Sequence, residues 1–132
     1  MSVAAPTSTA VQRAAAFRVA LRGFVRESER TVRRNGLTPQ RYLLLLLIKG
    51  AEDGAERATI SDLSRRLHLA QSTVTELVDR AELAKLVVRS TSTVDARVVH
   101  VSLTAEGERR FADAFRALAD ERRTLRKAVS EL

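Results

Sequence analysis

Cysteine is absent from this chain of 132 residues, so disulfides, thiolate metal sites and thiol-based redox sensing are excluded. Histidine is nearly as scarce. His68 and His100 stand 32 positions apart without clustered acidic partners, so no metal site is expected. Long apolar runs are missing too. The longest is Tyr42 to Ile48, far short of the ~18 residues a membrane span needs. The opening Met1 to Ala10 is uncharged and rich in Ala, Ser and Thr, without the basic start and apolar stretch of a secretory signal. A cytoplasmic protein is expected, with no membrane partner. Nor is there a Gly-rich phosphate loop, a nucleophile elbow or a poised acid–base pair. An enzyme is the least expected class, and no cofactor is expected.

What is present in excess is basic charge. The formal net charge is +7 and the sequence pI about 11.1, a balance that favours polyanionic partners, nucleic acid first. The excess is uneven. Residues 1–55 hold 9 basic and 4 acidic residues, whereas residues 56–103 and 104–132 each hold 7 and 6. Charge alone therefore supports nucleic-acid binding weakly. The length is that of one domain, and 45% hydrophobic residues are adequate for a core.

Residues 1–9 read as a disordered tail. From about Ala10 to Arg34 the apolar residues Val11, Ala14, Phe17, Leu21 and Phe24 recur in steps of three and four, the signature of a helix. Arg18, Arg22, Arg26 and Arg30 line another face, either as a solvated stripe or as contacts to phosphates or a partner. Asn35-Gly36 ends this helix, since both residues tolerate positive φ. Thr38 then caps a second helix with Pro39 in its first position. Leu43 to Ile48 reads equally as strand or helix by periodicity; the cap and the Gly50 stop decide for a buried helix.

After a polar loop over residues 51–57, Ala58 to Ile60 reads as a short strand. Ser61 caps a helix of about two turns with Leu63 and Leu67 inward. His68-Leu69-Ala70 connects it to a helix from about Gln71 to Ala84, whose buried side is Val74, Leu77, Val78 and Ala81. Two helices joined by so short a turn form a helix-turn-helix. Leu86 to Ser90 and Val98 to Leu103 are β-prone around a polar tip, a hairpin in the position of a wing. Thr104 opens a last helical region, with Phe111, Ala114, Phe115 and Leu118 as its apolar stripe and Val129 and Leu132 continuing the period. The fold class is mainly α with a small β-hairpin wing.

These residues resemble the MarR family. Leu37-Thr38-Pro39-Gln40 resembles the L-T-x-x-Q opening of that family's second helix. Ile60 to Leu67 resembles its I-x-x-L-A-x-x-L helix, and Ser72 to Arg80 its S-x-V-T-x-x-V-D recognition helix. Leu86-Val87-Val88-Arg89, Asp95-Ala96-Arg97, Val101-Ser102-Leu103-Thr104 and Gly107 are similar to its wing signature. Some positions depart from the pattern. Lys85 and His68 stand where Gly is usual, Ala70 replaces a Ser cap, and Ala96 replaces the first Arg of the D-R-R tip.

The resemblance implies a homodimeric transcriptional regulator, usually a repressor, that binds a palindromic site in double-stranded DNA. Residues 10–36 and 104–132 would dimerise, and residues 37–103 would form the winged helix-turn-helix. Helical geometry puts Ser72, Thr75, Glu76 and Asp79 opposite the buried side, with Gln71 and Thr73 flanking, so these six are the candidate major-groove residues. Gln pairs with adenine, and Ser or Thr reaches phosphates, bases or a thymine methyl. A competing reading of these residues makes Ser72 and Thr73 helix caps, and Glu76 and Asp79 intrahelical partners of Arg80 or neighbours. Arg97 is by resemblance the minor-groove cation of the wing, held by Asp95 through a charge-assisted hydrogen bond. Arg65, Arg66 and Arg89 are candidate phosphate contacts, which position without specifying sequence. The resemblance further implies a small-molecule effector pocket, for which Phe17, Phe24, Tyr42, Phe111 and Phe115 are candidates, as pocket or as core. The competing reading is a winged-helix module that binds protein. It has no need for the Asp95 and Arg97 tip or for a polar-faced Gln71 to Asp79 helix.

Overall fold

The computed structural model describes residues 3–132. Of the tail expected over residues 1–9, Met1 and Ser2 lie outside the described residues. Residues 3–7 are exposed and non-helical, and the first helix, α1 (Ser8–Arg34), starts two residues earlier than the apolar period shows. The reason is a cap: Thr7 Oγ1 accepts the Ala10 N–H at 3.1 Å. At its other end Gly36 carries the left-handed turn with φ of 77°, while Asn35 does not. Only Thr31 and Val32 of α1 are buried. Most of its length stands clear of the core, with Val11, Val19 and Val25 exposed.

Helix α2 (Pro39–Lys49) runs through the centre, capped by Thr38 and burying Leu44, Leu45 and Ile48. Its Lys49 binds Glu56 at 3.0 Å and Glu108 at 2.9 Å. The hydrogen bond to Glu108, then that to Glu56, holds the ammonium above the ordinary lysine range. Helix α3 (Ile60–Leu67) corrects two expectations. Thr59, not Ser61, is the N-cap: Thr59 Oγ1 accepts the Asp62 N–H at 3.1 Å while Asp62 accepts the Thr59 N–H at 3.4 Å, a capping box. The short strand accordingly lies earlier, as β1 (Arg57–Ala58).

Helix α4 (Gln71–Leu83) buries Val74, Val78 and Ala81 against α2. Strands β2 (Val87–Thr91) and β3 (Val99–Leu103) follow, and the sheet runs β1-β3-β2, antiparallel throughout. The pairing sets Ala58 opposite Val101 and Arg89 opposite Val101 from the other side. Val101 is therefore the fully buried middle of the sheet. Val99 is exposed because the hairpin projects beyond the core there. His100 is half-buried with Nδ1 closed off. The last helical region divides into α5 (Ala105–Ala117) and α6 (Ala119–Ser130) at buried Leu118. Helix α6 packs back along α1.

His68 and Lys85 adopt φ of 56° and 63°, the left-handed region where a side chain is disfavoured. Lys85→Gly is expected to stabilise the protein by about 0.5–1 kcal/mol. A melting temperature raised by a few degrees at fixed protein concentration would show it, and a lowered one would refute it.

Candidate nucleic-acid interface

Helix α4 owes its position to Val74, Val78 and Ala81, and those buried residues fix what faces outward. With 3.6 residues per turn, Ser72 and Glu76 fall at the outer apex. Gln71, Thr75, Asp79 and Glu82 fall on one flank, and Thr73, Leu77 and Arg80 on the other. All six candidate major-groove residues are exposed. They differ in what their polar groups already do. Gln71 Nε2 donates to Ser61 Oγ at 3.2 Å, bracing α4 on α3. This leaves Oε1 and the second amide hydrogen of Gln71 open. Thr75 Oγ1 donates to Gln71 O at 2.9 Å, which leaves its methyl outward. Asp79 is committed to Arg89 at 2.6 Å. Ser72, Thr73 and Glu76 have no side-chain partner among the described residues.

Arg89 also binds Glu82 at 2.8 Å, and its side chain is only 28% exposed. The hydrogen bond to Asp79 comes first among the interactions that hold its guanidinium above the usual arginine range. Arg89, a candidate phosphate contact, thus clasps the wing to α4. Arg66 is likewise engaged. Its Nη1 donates to the carbonyls of Leu47 at 3.0 Å and Gly50 at 3.4 Å, at the end of α2. Arg65 is exposed and pairs with Glu52 at 3.1 Å. Such an exposed pair exchanges readily for a phosphate.

The wing tip is ordered by short polar side chains. Ser92 Oγ accepts the N–H of Val94 at 3.1 Å and of Asp95 at 3.3 Å. Asp95 Oδ1 accepts the Arg97 N–H at 3.0 Å and Arg97 Nε at 3.2 Å. The side-chain bond from Arg97, then the backbone one, holds the Asp95 carboxyl below its ordinary range. The Arg97 side chain is 91% exposed, a cation held against Asp95 through Nε and, at 3.4 Å, through Nη2 to Oδ2, with the rest of its guanidinium in solvent.

The aromatic candidates separate. Phe24, Tyr42 and Phe115 line an apolar cavity of about 350 Å³ between α1, α2 and the α5–α6 joint, together with Ser28, Leu46 and Arg122. Phe111 does not line it. It is buried, with its ring stacked 5.8 Å from that of Tyr42, and belongs to the core. Phe17 lies two turns before Phe24 and is outside the cavity too. Burial pushes the Tyr42 phenol up, and Arg122 opposes this. Arg122 lies over the Phe115 ring at 3.7 Å from its centroid and donates to Phe115 O at 2.6 Å.

A helix-turn-helix followed by an antiparallel hairpin with a cationic tip defines a winged-helix protein. Residues 35–98 match the model of the MarR family. The chain is 31% identical over 83 residues to the HTH-type transcriptional repressor MdtR of Bacillus subtilis; the match takes in 63% of this chain and spans about half of that relative, 51% of its length. Two solved structures share the fold. AbsC, a MarR family transcriptional regulator from Streptomyces coelicolor, superposes with a TM-score of 0.72 at 23% identity, over 92% of this chain and 82% of that one. A point mutant of MepR from S. aureus, bound to an oligodeoxyribonucleotide, gives 0.67 at 22% identity, over 88% and 80%. Over residues 35–98 the chain is thus similar to the MarR family, and its fold is the one these solved structures share.

Proposed function

We propose that the protein is a sequence-specific, DNA-binding transcriptional regulator, acting as a homodimer and a repressor rather than as an enzyme. The observation that carries this reading is the outward side of α4. Ser72, Thr73 and Glu76 are unengaged, Gln71 and Thr75 are partly so, and Arg97, fixed by Asp95, is exposed on the adjacent wing. Polar groups near the start of an exposed helix suit base edges in a major groove, and a fixed arginine suits a narrow minor groove. The DNA-bound MepR structure supports the same use of the fold.

The dimer reading rests on apolar residues that the chain itself does not cover. Val11, Val19 and Val25 on α1 and Val129 on α6 are exposed, as is Leu132 beyond it. A second copy packed along α1 and α6 would bury them. The apolar cavity beside α1 suits a small, mostly apolar effector, with Tyr42, Ser28 and Arg122 as polar handles. Among the described residues no helix is long and apolar enough to cross a membrane.

The test is selection of bound genomic fragments followed by footprinting. A symmetric dimer predicts an imperfect palindrome with half-site centres roughly 10–10.5 base pairs apart. Substitution of Ser72 or Thr75 should change preference at symmetric positions in both halves. One asymmetric protected half-turn would refute the dimeric reader. Equal affinity for selected and random DNA would favour the protein-binding module.

A further inference from the structure

We propose that the cleft between α1, the start of α2 and α4 seats the DNA backbone on the side of the groove away from the wing. This rests on the reading of α4 as the groove-entering helix. The cleft has a volume of about 440 Å³ and brings together Arg33, Arg41 and Arg80 around Thr38 and Leu77, with Glu29 as its one carboxylate. Many cations elsewhere are paired: Arg30, Lys49, Arg65, Arg66, Arg89, Arg97, Arg109, Arg110, Arg116 and Arg123 each hold a carboxylate. Among the described residues Arg33, Arg41 and Arg80 hold none, as do ten other cations outside the cleft; what sets these three apart is that they line one cleft with α4. Unpaired guanidinium groups gathered in one concavity are suited to an anion that arrives from outside.

The placement of Arg41 sharpens the case. Arg33 lies in the last turn of α1, where a cation complements the helix dipole. Arg41 lies in the first turn of α2, which contains no acidic residue. A cation there opposes the dipole, so α2 alone gives no reason for it. A phosphate would satisfy both the guanidinium and the helix start. At that start Pro39 has no N–H, and Arg41 gives its own to Thr38 Oγ1 at 3.1 Å. The Gln40 N–H remains open.

Helix α4 fixes which anion fits. A helix in a major groove about 12 Å wide lies between two sugar-phosphate walls. The flank bearing Asp79 and Glu82 is occupied by Arg89 of the wing. On the opposite flank Leu77 and Arg80 line the cleft. The second wall therefore falls on Arg33, Arg41 and Arg80. These contacts position the duplex without reading its sequence.

The experiment measures affinity of the full chain against salt concentration, on the selected operator and on a random duplex of equal length. R33Q/R41Q is expected to lose about tenfold on both duplexes at low salt. Its log–log salt slope should fall by about 0.9 for each phosphate no longer neutralised. R33K/R41K should recover most of both. Unchanged affinity and slope, with the wild-type chain still binding its operator, would overturn the proposal and leave the regulator reading standing. A loss confined to the operator would also overturn it, because the cleft would then be reading sequence. Absence of any DNA binding by the wild-type chain would remove the proposal and the reading beneath it together.

Discussion

Gly107→Ala is expected to destabilise the protein by about 3 kcal/mol, with a melting temperature lower by about 10 °C. The sign is opposite to that at an ordinary helical site, where replacing glycine by alanine gains about 1 kcal/mol. Gly107 lies in the first turn of α5 and is buried. A Cβ at this position would lie 2.0 Å from the carbonyl oxygen of Leu86 and 3.0 Å from its carbon. That carbonyl cannot swing aside cheaply. It accepts the Thr104 N–H at 3.0 Å, and the neighbouring Lys85 carbonyl accepts Thr104 Oγ1 at 2.7 Å. Thr104 Oγ1 in turn accepts the Gly107 N–H at 3.0 Å. The turn between α4 and β2 is thus locked onto the start of α5, and the clash must separate two backbones. Denaturant unfolding at fixed protein concentration measures the loss. Wild-type stability in the alanine variant would mean that α5 does not approach Leu86 as described. The same contact joins the wing to the α5–α6 arm, so the variant should also loosen any coupling between the apolar cavity and the wing.

Gly107 illustrates what was legible in the sequence. Its place in the V-x-L-T-x-x-G pattern was plain, but the reason for it was not, because Leu86 meets it only in the folded chain. The helix-turn-helix and the hairpin were legible because their signals are local: the spacing of Val74, Val78 and Ala81, the short His68 to Ala70 turn, the alternation around Val101. Features that depend on pairing across the chain were not. A short strand from Ala58 was legible, but its bounds, Arg57–Ala58, were not, because only its partner strand defines them. The break at Leu118 has no glycine or proline to announce it. The pairing of Arg89 with Asp79 and Glu82 was not legible, because they lie ten and seven positions away. The cap at Thr59 could have been found: Asp62 stands three residues later, as a capping box requires, and Ser61 was the nearer but wrong hydroxyl. Phe111 and Phe115 share a helix face in sequence, yet one is core and the other lines the cavity. Only the position of Tyr42 on α2 separates them.

Arg97→Ala is expected to weaken binding to the selected operator by about 10- to 100-fold, the loss of one arginine contact worth ~1–3 kcal/mol. The melting temperature should not move. The Arg97 side chain is almost wholly in solvent and touches no core residue, and its backbone N–H still reaches Asp95 Oδ1 in the variant. The tip therefore keeps its shape while losing its charge. This separates the wing from the basic cleft beside α2. Loss of Arg97 should bear hardest on operators whose flanks have a narrow minor groove, where the potential is most negative. Loss of Arg33 and Arg41 should weaken all duplexes alike. Asp95→Ala provides the complementary test. It removes the three bonds that hold Arg97 in place, two to its side chain and one to its backbone, but leaves the cation. If pre-organisation of the tip matters, Asp95→Ala should weaken binding even though it removes a negative charge from a DNA-facing loop. A gain in affinity would mean that Arg97 needs no positioning and acts through net charge alone. Unchanged operator affinity in Arg97→Ala would remove the wing from the interface and leave α4 and the cleft to hold the duplex by themselves.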